Sequence, residues 1–251
     1  MKFLTSDNLA LQVTDYGGIG PSIIFVNGYS ASEATWLLQI VAFQEAGFRV
    51  ITYDHRNHGL SEKDSSGATL EKLARDLSEL CNKLVSDQVI LIGHSMGAAV
   101  ILEDEKLFGQ EKIKAVVTED QAPYFEHTRN SQEQEKFITN FPHQHLTAGQ
   151  LPDDLKRELG KKLLPFDFKN NRDLLSEIIG TDFRPILREE IVPHLFLAGE
   201  KSPIFPPDVT LAARDLNQNQ HSKVHLFPNC GHIPHLESPT EFNALVLDFI
   251  K

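Results

Sequence analysis

The chain has 251 residues, 41% of them hydrophobic and 24% charged, which is long enough for one domain with a substantial core or one domain carrying an insertion. A formal net charge of −11 repels phosphate backbones and argues against a nucleic-acid partner, and no apolar stretch approaches the ~20 residues of a membrane helix. Two cysteines, Cys81 and Cys230, do not make a disulfide framework, and residues 1–7 hold no hydrophobic run resembling a secretory signal, so a cytoplasmic protein is the simpler expectation.

In chain order, residues 9–16 suit an antiparallel edge strand, and the apolar runs 22–26, 48–53 and 88–92 read as strands, with a weak helical pattern over 34–46. Leu70, Leu73, Ala74, Leu77, Leu80, Cys81 and Leu84 fall on one stripe of a helix, which makes Cys81 a small buried hydrophobe. Residues 98–102 can begin another helix. Further strands follow at 113–118, 193–198 and 223–227, and a weak helical pattern closes the chain at 240–250. Near-continuous apolar strands alternating with helices predict an α/β fold with a mostly parallel, doubly wound sheet.

Residues 121–188 break the alternation. They contain no convincing strand, are rich in charge, and carry Phe125, Phe137, Phe141, Phe166, Phe168 and Phe183. Leu151, Leu155 and Leu159, and then Leu174, Leu175, Ile178 and Ile179, recur at helical spacing. About 70 residues is long for a crossover, so this stretch is expected to be a helical cap inserted into a core domain of residues 1–120 and 189–251. The alternative is a set of ordinary crossover helices.

Chemistry concentrates where strand 88–92 runs into Gly93-His94-Ser95-Met96-Gly97. A Gly-x-Ser-x-Gly between an apolar strand and small helix-forming residues has the layout of a nucleophile elbow, which holds a serine on a strained turn with its hydroxyl exposed. The same turn aims a helix N-terminus at the reaction centre, so the Met96 N–H can stabilise an oxyanion. A serine hydroxyl needs a base. Of the eleven histidines, His232 in Asn229-Cys230-Gly231-His232-Ile233-Pro234 follows the last strand, where a loop can reach the crevice of an α/β sheet. His94 and His235 compete with it. His94 is expected to give structural support, because adjacent side chains on a turn diverge, and His235 to pack beneath the loop.

The base needs a carboxylate to fix its tautomer. Glu119 and Asp120 follow one strand, and Glu200 and Asp208 follow the next. Asp120 is placed first because Asp120-Gln121-Ala122-Pro123 is a tight strand exit, with Glu119 second. The turn Asn27-Gly28-Tyr29 after the first apolar strand offers the Tyr29 N–H as a second oxyanion donor.

On these residues the chain resembles an α/β-hydrolase of the compact serine esterase type with a helical cap. The residues that carry the resemblance are Asn27-Gly28-Tyr29, the loop Asp54-His55-Arg56-Asn57-His58-Gly59-Leu60-Ser61, the elbow around Ser95, and Gly231-His232-x-Pro-x-x-Glu237-x-Pro239. Two departures stand out. Asn27 replaces the family's usual histidine, and Gly199-Glu-Lys-Ser202-Pro203 stands where many relatives have Gly-x-x-Asp-Pro with the triad acid. Some members carry the acid after the strand following the elbow, which matches Asp120. The resemblance implies a catalytic set of Ser95, Asp120 and His232, an oxyanion hole from the Tyr29 and Met96 amides, and neither cofactor nor metal.

The expected activity is cleavage of carboxylic esters or thioesters with small to medium acyl groups, on a small-molecule substrate held by an apolar cap pocket. Lactonases and carbon–carbon bond hydrolases share the constellation, and a non-catalytic ligand-binding member is the reading from a different class. Dehalogenases and epoxide hydrolases resemble Asp rather than Ser at the elbow, and the His-Gly-Gly-Pro-Gly loop of proline iminopeptidases is absent. Oligomeric state is not legible from the sequence.

Overall fold

The computed structural model describes residues 1–125 and 131–251. One sheet contains β1 (Lys2–Leu4), β2 (Ala10–Asp15), β3 (Ser22–Val26), β4 (Arg49–Tyr53), β5 (Val89–His94), β6 (Ile113–Glu119), β7 (His194–Gly199) and β8 (Lys223–Phe227) in the order β1-β2-β4-β3-β5-β6-β7-β8. β2 pairs antiparallel with β1 and β4, and the pairs from β4 to β8 are parallel. Apart from small shifts of boundary, the six parallel strands fall where the apolar runs lie.

The apolar runs are continuous because both faces of the sheet are covered. Ile24, Val26, Leu91 and Val116 point to one face and pack with Leu73, Leu77 and Leu80 of α2 (Leu70–Leu84) and Val100 and Ile101 of α3 (Met96–Phe108). Ile23, Phe25, Ile90, Ile92 and Val117 point to the other. There they meet Ile40 and Phe43 of α1 (Leu37–Glu45), and Phe242 and Val246 of the closing helix (Pro239–Ile250). Cys81 sits in the first cluster as a buried free thiol.

Two expectations are corrected. The 9–16 segment, β2 in the structure, is not the edge, because β1 pairs along its outer side. Three residues, Lys2-Phe3-Leu4, carry too little pattern to be read as a strand. The 34–46 helix opens as a 3₁₀ turn over Glu33–Trp36, where Ser32 Oγ accepts the Ala34 N–H, and becomes α-helical only at Leu37.

Between β6 and β7 the described residues form helices and no strand: α4 (Ser131–Asn140), a 3₁₀ turn (Phe141–His143), α5 (Asp153–Lys162), α6 (Arg172–Gly180) and α7 (Arg184–Glu189). Residues 126–130 of the expected cap lie outside the described residues. Leu155 and Leu159 of α5, with Leu151 beside them, pack on Leu236 and Ile233, while Leu174, Leu175, Ile178 and Ile179 of α6 join the main core. α7 packs on α3 and on α8 (Pro207–Leu216). Among the described residues no helix is long and apolar enough to cross a membrane, and no group of three or more His, Cys, Asp or Glu is placed to hold a metal ion.

Charge is also buried away from the sheet ends. Arg56 is enclosed by Asp76, Asp64 and Asp7, with its Nε and Nη2 on Asp76 at 2.7 and 2.6 Å. On α3, Asp104 has no such cation, and its Oδ1 has no partner among the described residues. Burial pushes the Asp104 carboxyl up to about 8. A proton held in the folded chain and released by the unfolded one between about pH 4 and pH 8 makes stability fall as pH rises through that window. Asp104→Asn should therefore raise the urea-unfolding free energy at pH 7.5 relative to pH 5 by about 2–3 kcal/mol compared with the parent. Parallel pH dependences in the two proteins would show that Asp104 is ionised in the folded chain.

Candidate active site

Sheet order reverses beside β3, with β4 on one side and β5 on the other, and the crevice outside such a reversal is where an open α/β sheet binds ligands. Val26, Gly93 and Thr118 lie in register across β3, β5 and β6, so their strand exits share one edge. Tyr29, Ser95 and Asp120 follow those three exits. His232 arrives on the loop after β8.

Ser95 occupies the turn from β5 into α3 with φ 51° and ψ −118°, an unfavourable conformation for a residue with a side chain. Its N–H is held by Glu119 O at 2.8 Å and its carbonyl accepts the Ala98 N–H at 2.9 Å. Gly97 makes the tight turn possible, because a Cβ there would lie 2.1 Å from Val26 O. Ser95 is 8% exposed. Its Oγ makes no hydrogen bond to His232 or to any other described residue. The Met96 amide at the start of α3 and the Tyr29 amide likewise have no acceptor among the described residues.

Asp120 and His232 come together. His232 Nδ1 lies 2.5 Å from Asp120 Oδ2, with the ring N–H donating to the carboxylate. Asp120 itself sits at φ 49°, its N–H bonded to Leu197 O at 2.7 Å. Burial pushes its carboxyl above the ordinary carboxylate range, and the hydrogen bonds from His232, Ser202 and the Gly199 amide work against that rise. Ser202 Oγ donates to Asp120 Oδ2 at 2.6 Å and the Gly199 N–H reaches Oδ1 at 3.3 Å. Ser202, one of the two departures in the sequence, thus donates a hydrogen bond to the carboxylate at 120.

Glu119 goes elsewhere. Its carboxylate accepts the His235 N–H at 2.7 Å and faces His235 Nδ1 at 2.7 Å. Trp36 stacks on the far side of the His235 ring with centroids 4.2 Å apart. Glu200 is exposed at the end of β7, and Asp208 lies in the first turn of α8. His94 donates from Nε2 to His232 O at 2.8 Å, and burial pushes its ring far below the usual histidine range, leaving it neutral. It also explains Gly28, where a Cβ would sit 2.8 Å from His94 Nδ1. Glu237, in the closing motif, holds the loop that carries His232. Its carboxylate accepts the Gly231, Ile233 and Ala148 amides and so pins the histidine loop to the segment before α5.

The space in front of Ser95 is a cavity of ≈ 10 Å³ lined by Tyr29, Met96, Gln121, Phe125, Phe137, Phe141, Leu175, Ile178, Ile179, Ile204 and Phe205. Of the six phenylalanines between β6 and β7, Phe125, Phe137 and Phe141 line it. Phe166 and Phe168 instead pack on Tyr29, and Phe183 is core. The Tyr29 hydroxyl donates to Asn171 O at 2.8 Å. Asn27 is fully buried, and its side-chain polar atoms have no partner among the described residues.

A family model described as the alpha/beta hydrolase family matches residues 23–245. The chain is 25% identical over 276 residues to a non-heme haloperoxidase of Rhodococcus erythropolis, covering 100% of both chains. It superposes on an esterase from Exiguobacterium antarcticum with a TM-score of 0.88 at 19% identity, covering 99% of this chain and 98% of that one. A bromoperoxidase from Bacillus anthracis gives 0.86 at 23% identity, with 100% and 99% covered. At such identities the two superpositions show the shared fold.

The Glu119–His235 contact yields a prediction about stability. Glu119→Gln keeps the volume but sets an amide N–H against one of two buried donors. It should lower the urea-unfolding free energy by about 2–4 kcal/mol with little change in m-value. A loss below about 0.5 kcal/mol, the level of an ordinary surface change, would mean that Glu119 does not hold the loop.

Proposed function

We propose, from the premise that this chain belongs to the α/β-hydrolase family, that it is a serine hydrolase cleaving carboxylic ester or thioester bonds of small to medium acyl groups. The observation that carries this reading is a serine on a strained strand-to-helix turn at the same sheet edge as a buried histidine whose Nδ1 is held by a carboxylate at 2.5 Å. Asp120 in that place fixes the tautomer that leaves Nε2 free to accept a proton.

In the proposed mechanism Ser95 Oγ forms a bond to the carbonyl carbon while His232 Nε2 takes its proton. The carbonyl oxygen becomes an oxyanion met by the Tyr29 and Met96 amides. Collapse breaks the bond to the leaving group, which takes the proton from His232. Water, deprotonated by His232, then releases the acid and restores Ser95. The Ser95–His232 hydrogen bond that the first step needs is of the kind that tightens when substrate is bound.

Ser95→Ala should abolish turnover of a short-chain p-nitrophenyl ester and labelling by a fluorophosphonate while far-UV circular dichroism stays unchanged. Asp120→Asn should cost about 10³–10⁴ in kcat by presenting the wrong tautomer. Unaltered hydrolysis in Ser95→Ala would sink the reading, and a comparable kcat loss with normal Asp120→Asn activity in Glu119→Gln would move the acid to Glu119.

The Ser202 hydrogen bond gives a pH test with a definite sign. It favours the ionised form of Asp120, so its loss in Ser202→Ala should move the acidic limb of kcat/KM towards higher pH, with Ser202→Thr restoring it. An acidic limb that stays put would show that the hydroxyl does not support the carboxylate.

A further inference from the structure

A second, larger cavity of ≈ 530 Å³ lies between the segment after β6, α7 and α8, and it meets the Ser95 cavity at a shared wall of Phe125, Phe137, Ile204 and Phe205. Phe125 and Phe205 meet edge to face in this wall with centroids 5.0 Å apart. The inner space of ≈ 10 Å³ barely admits a water molecule, so any substrate of ordinary size has to place its bulk elsewhere. The outer cavity is of the size that ligand pockets commonly have.

The wall stands on the proton-transfer side of the site. The Ile204 and Phe205 amides donate to Ser202 Oγ at 3.3 and 3.2 Å, and Ser202 Oγ donates to Asp120. The Phe205 ring lies against the His232 ring with centroids 6.1 Å apart. In acyl transfer the carbon–oxygen bond to the leaving group breaks as His232 returns its proton to that oxygen, so the leaving alcohol must stand beside the imidazole. The side chains lining the Ser95 space but not the outer cavity, among them Leu175, Ile178 and Ile179 of α6, are packed into the core and leave the acyl group little room.

Resting on the serine-hydrolase reading, we propose that the outer cavity receives the alcohol portion of the ester, and that the substrates are short-acyl esters of bulky, apolar, uncharged alcohols. Its lining supports the last term. Val209 and Leu216 stand beside two arginines, Arg184 and Arg188, and two aspartates, Asp208 and Asp215, so no net charge selects an ion. The aromatic wall offers ring edges and faces to the group entering past it.

The test uses two ester panels on the intact protein and on Ala212→Trp, which fills the outer cavity from an exposed position of α8, with Val209→Phe as a second filling variant. One panel holds acetyl constant with methyl, benzyl and 2-naphthylmethyl alcohols. The other holds p-nitrophenol constant from acetate to octanoate. The parent should favour the 2-naphthylmethyl over the methyl ester and the acetate over the octanoate. Filling the cavity should lower the 2-naphthylmethyl-to-methyl ratio of kcat/KM at least about fivefold, while the acetate-to-octanoate ratio moves less than about twofold. A response in the acyl ratio instead, or in neither ratio, overturns the inference. Calorimetric binding of 2-naphthylmethanol to Ser95→Ala, and its loss in Ser95→Ala/Ala212→Trp, reads the cavity without turnover. Alcohol bound but no ester cleaved removes the hydrolase reading, whereas esters cleaved with no response to the filled cavity removes this inference alone.

Discussion

A carboxylate and an imidazole, both withdrawn from water, lie 2.5 Å apart at Asp120 and His232 although 112 positions separate them in the chain. Contact at that distance out of water is favourable only if each group is held without help from the other, since desolvation can exceed the gain from pairing. Asp120 is held by the β7 strand through Leu197 O and Gly199 N, and by Ser202. His232 is held through its backbone, by Leu146 O on one side and His94 on the other. The β6–β7 pairing therefore places Asp120, and the Leu146 and His94 contacts place the His232 backbone.

The exit of β6 supplies two acids to two histidines. Glu119 ends the strand and Asp120 turns out of it at φ 49°, so the two side chains diverge, one to His235 and the other to His232. His94 lies between the two histidines, its ring 4.7 Å from His232 and 5.1 Å from His235 by centroids. Burial keeps His94 neutral. A neutral His94 can hold the His232 carbonyl without raising a competing positive charge beside the proposed base. Trp36 closes the far side of His235, so the second acid–histidine pair works as packing for the loop that carries the first.

Much of this was legible in the chain. Strands buried on both faces leave continuous apolar runs, and these located β3 to β8 to within two residues. The glycines around Ser95 and the Gly-His after the last strand marked two strand exits, because close backbone approach leaves a trace in residue type. The choice between Glu119 and Asp120 was harder, since the sequence shows neither where the strand ends nor which way each side chain leaves the turn after it. Ser202 was visible only as a missing acid, because a hydroxyl in a loop has many uses. β1 was too short to show a period. The two cavities and their aromatic wall were out of reach, because they depend on how α4, α6 and α7 settle against the loop after β7, and the phenylalanines alone do not say which of them are core.

The positions 120 and 202 are linked by the same physics that makes the pair at 120 and 232 work. With Asp120 in place, a donor is the useful partner at 202, because it favours the ionised form of an acid that burial pushes towards the neutral one. A carboxylate at 202 beside Asp120 would put two like charges on one imidazole, and one of them would have to take up a proton. A hydroxyl rather than a carboxylate at 202 is therefore in keeping with the carboxylate at 120. It also frees the residue at 202 for a second task, since an oxygen that donates its proton to Asp120 still has lone pairs to accept the Ile204 and Phe205 amides. One hydroxyl thereby ties the acid to the wall that divides the two cavities, a junction that a second carboxylate could not make without adding its charge.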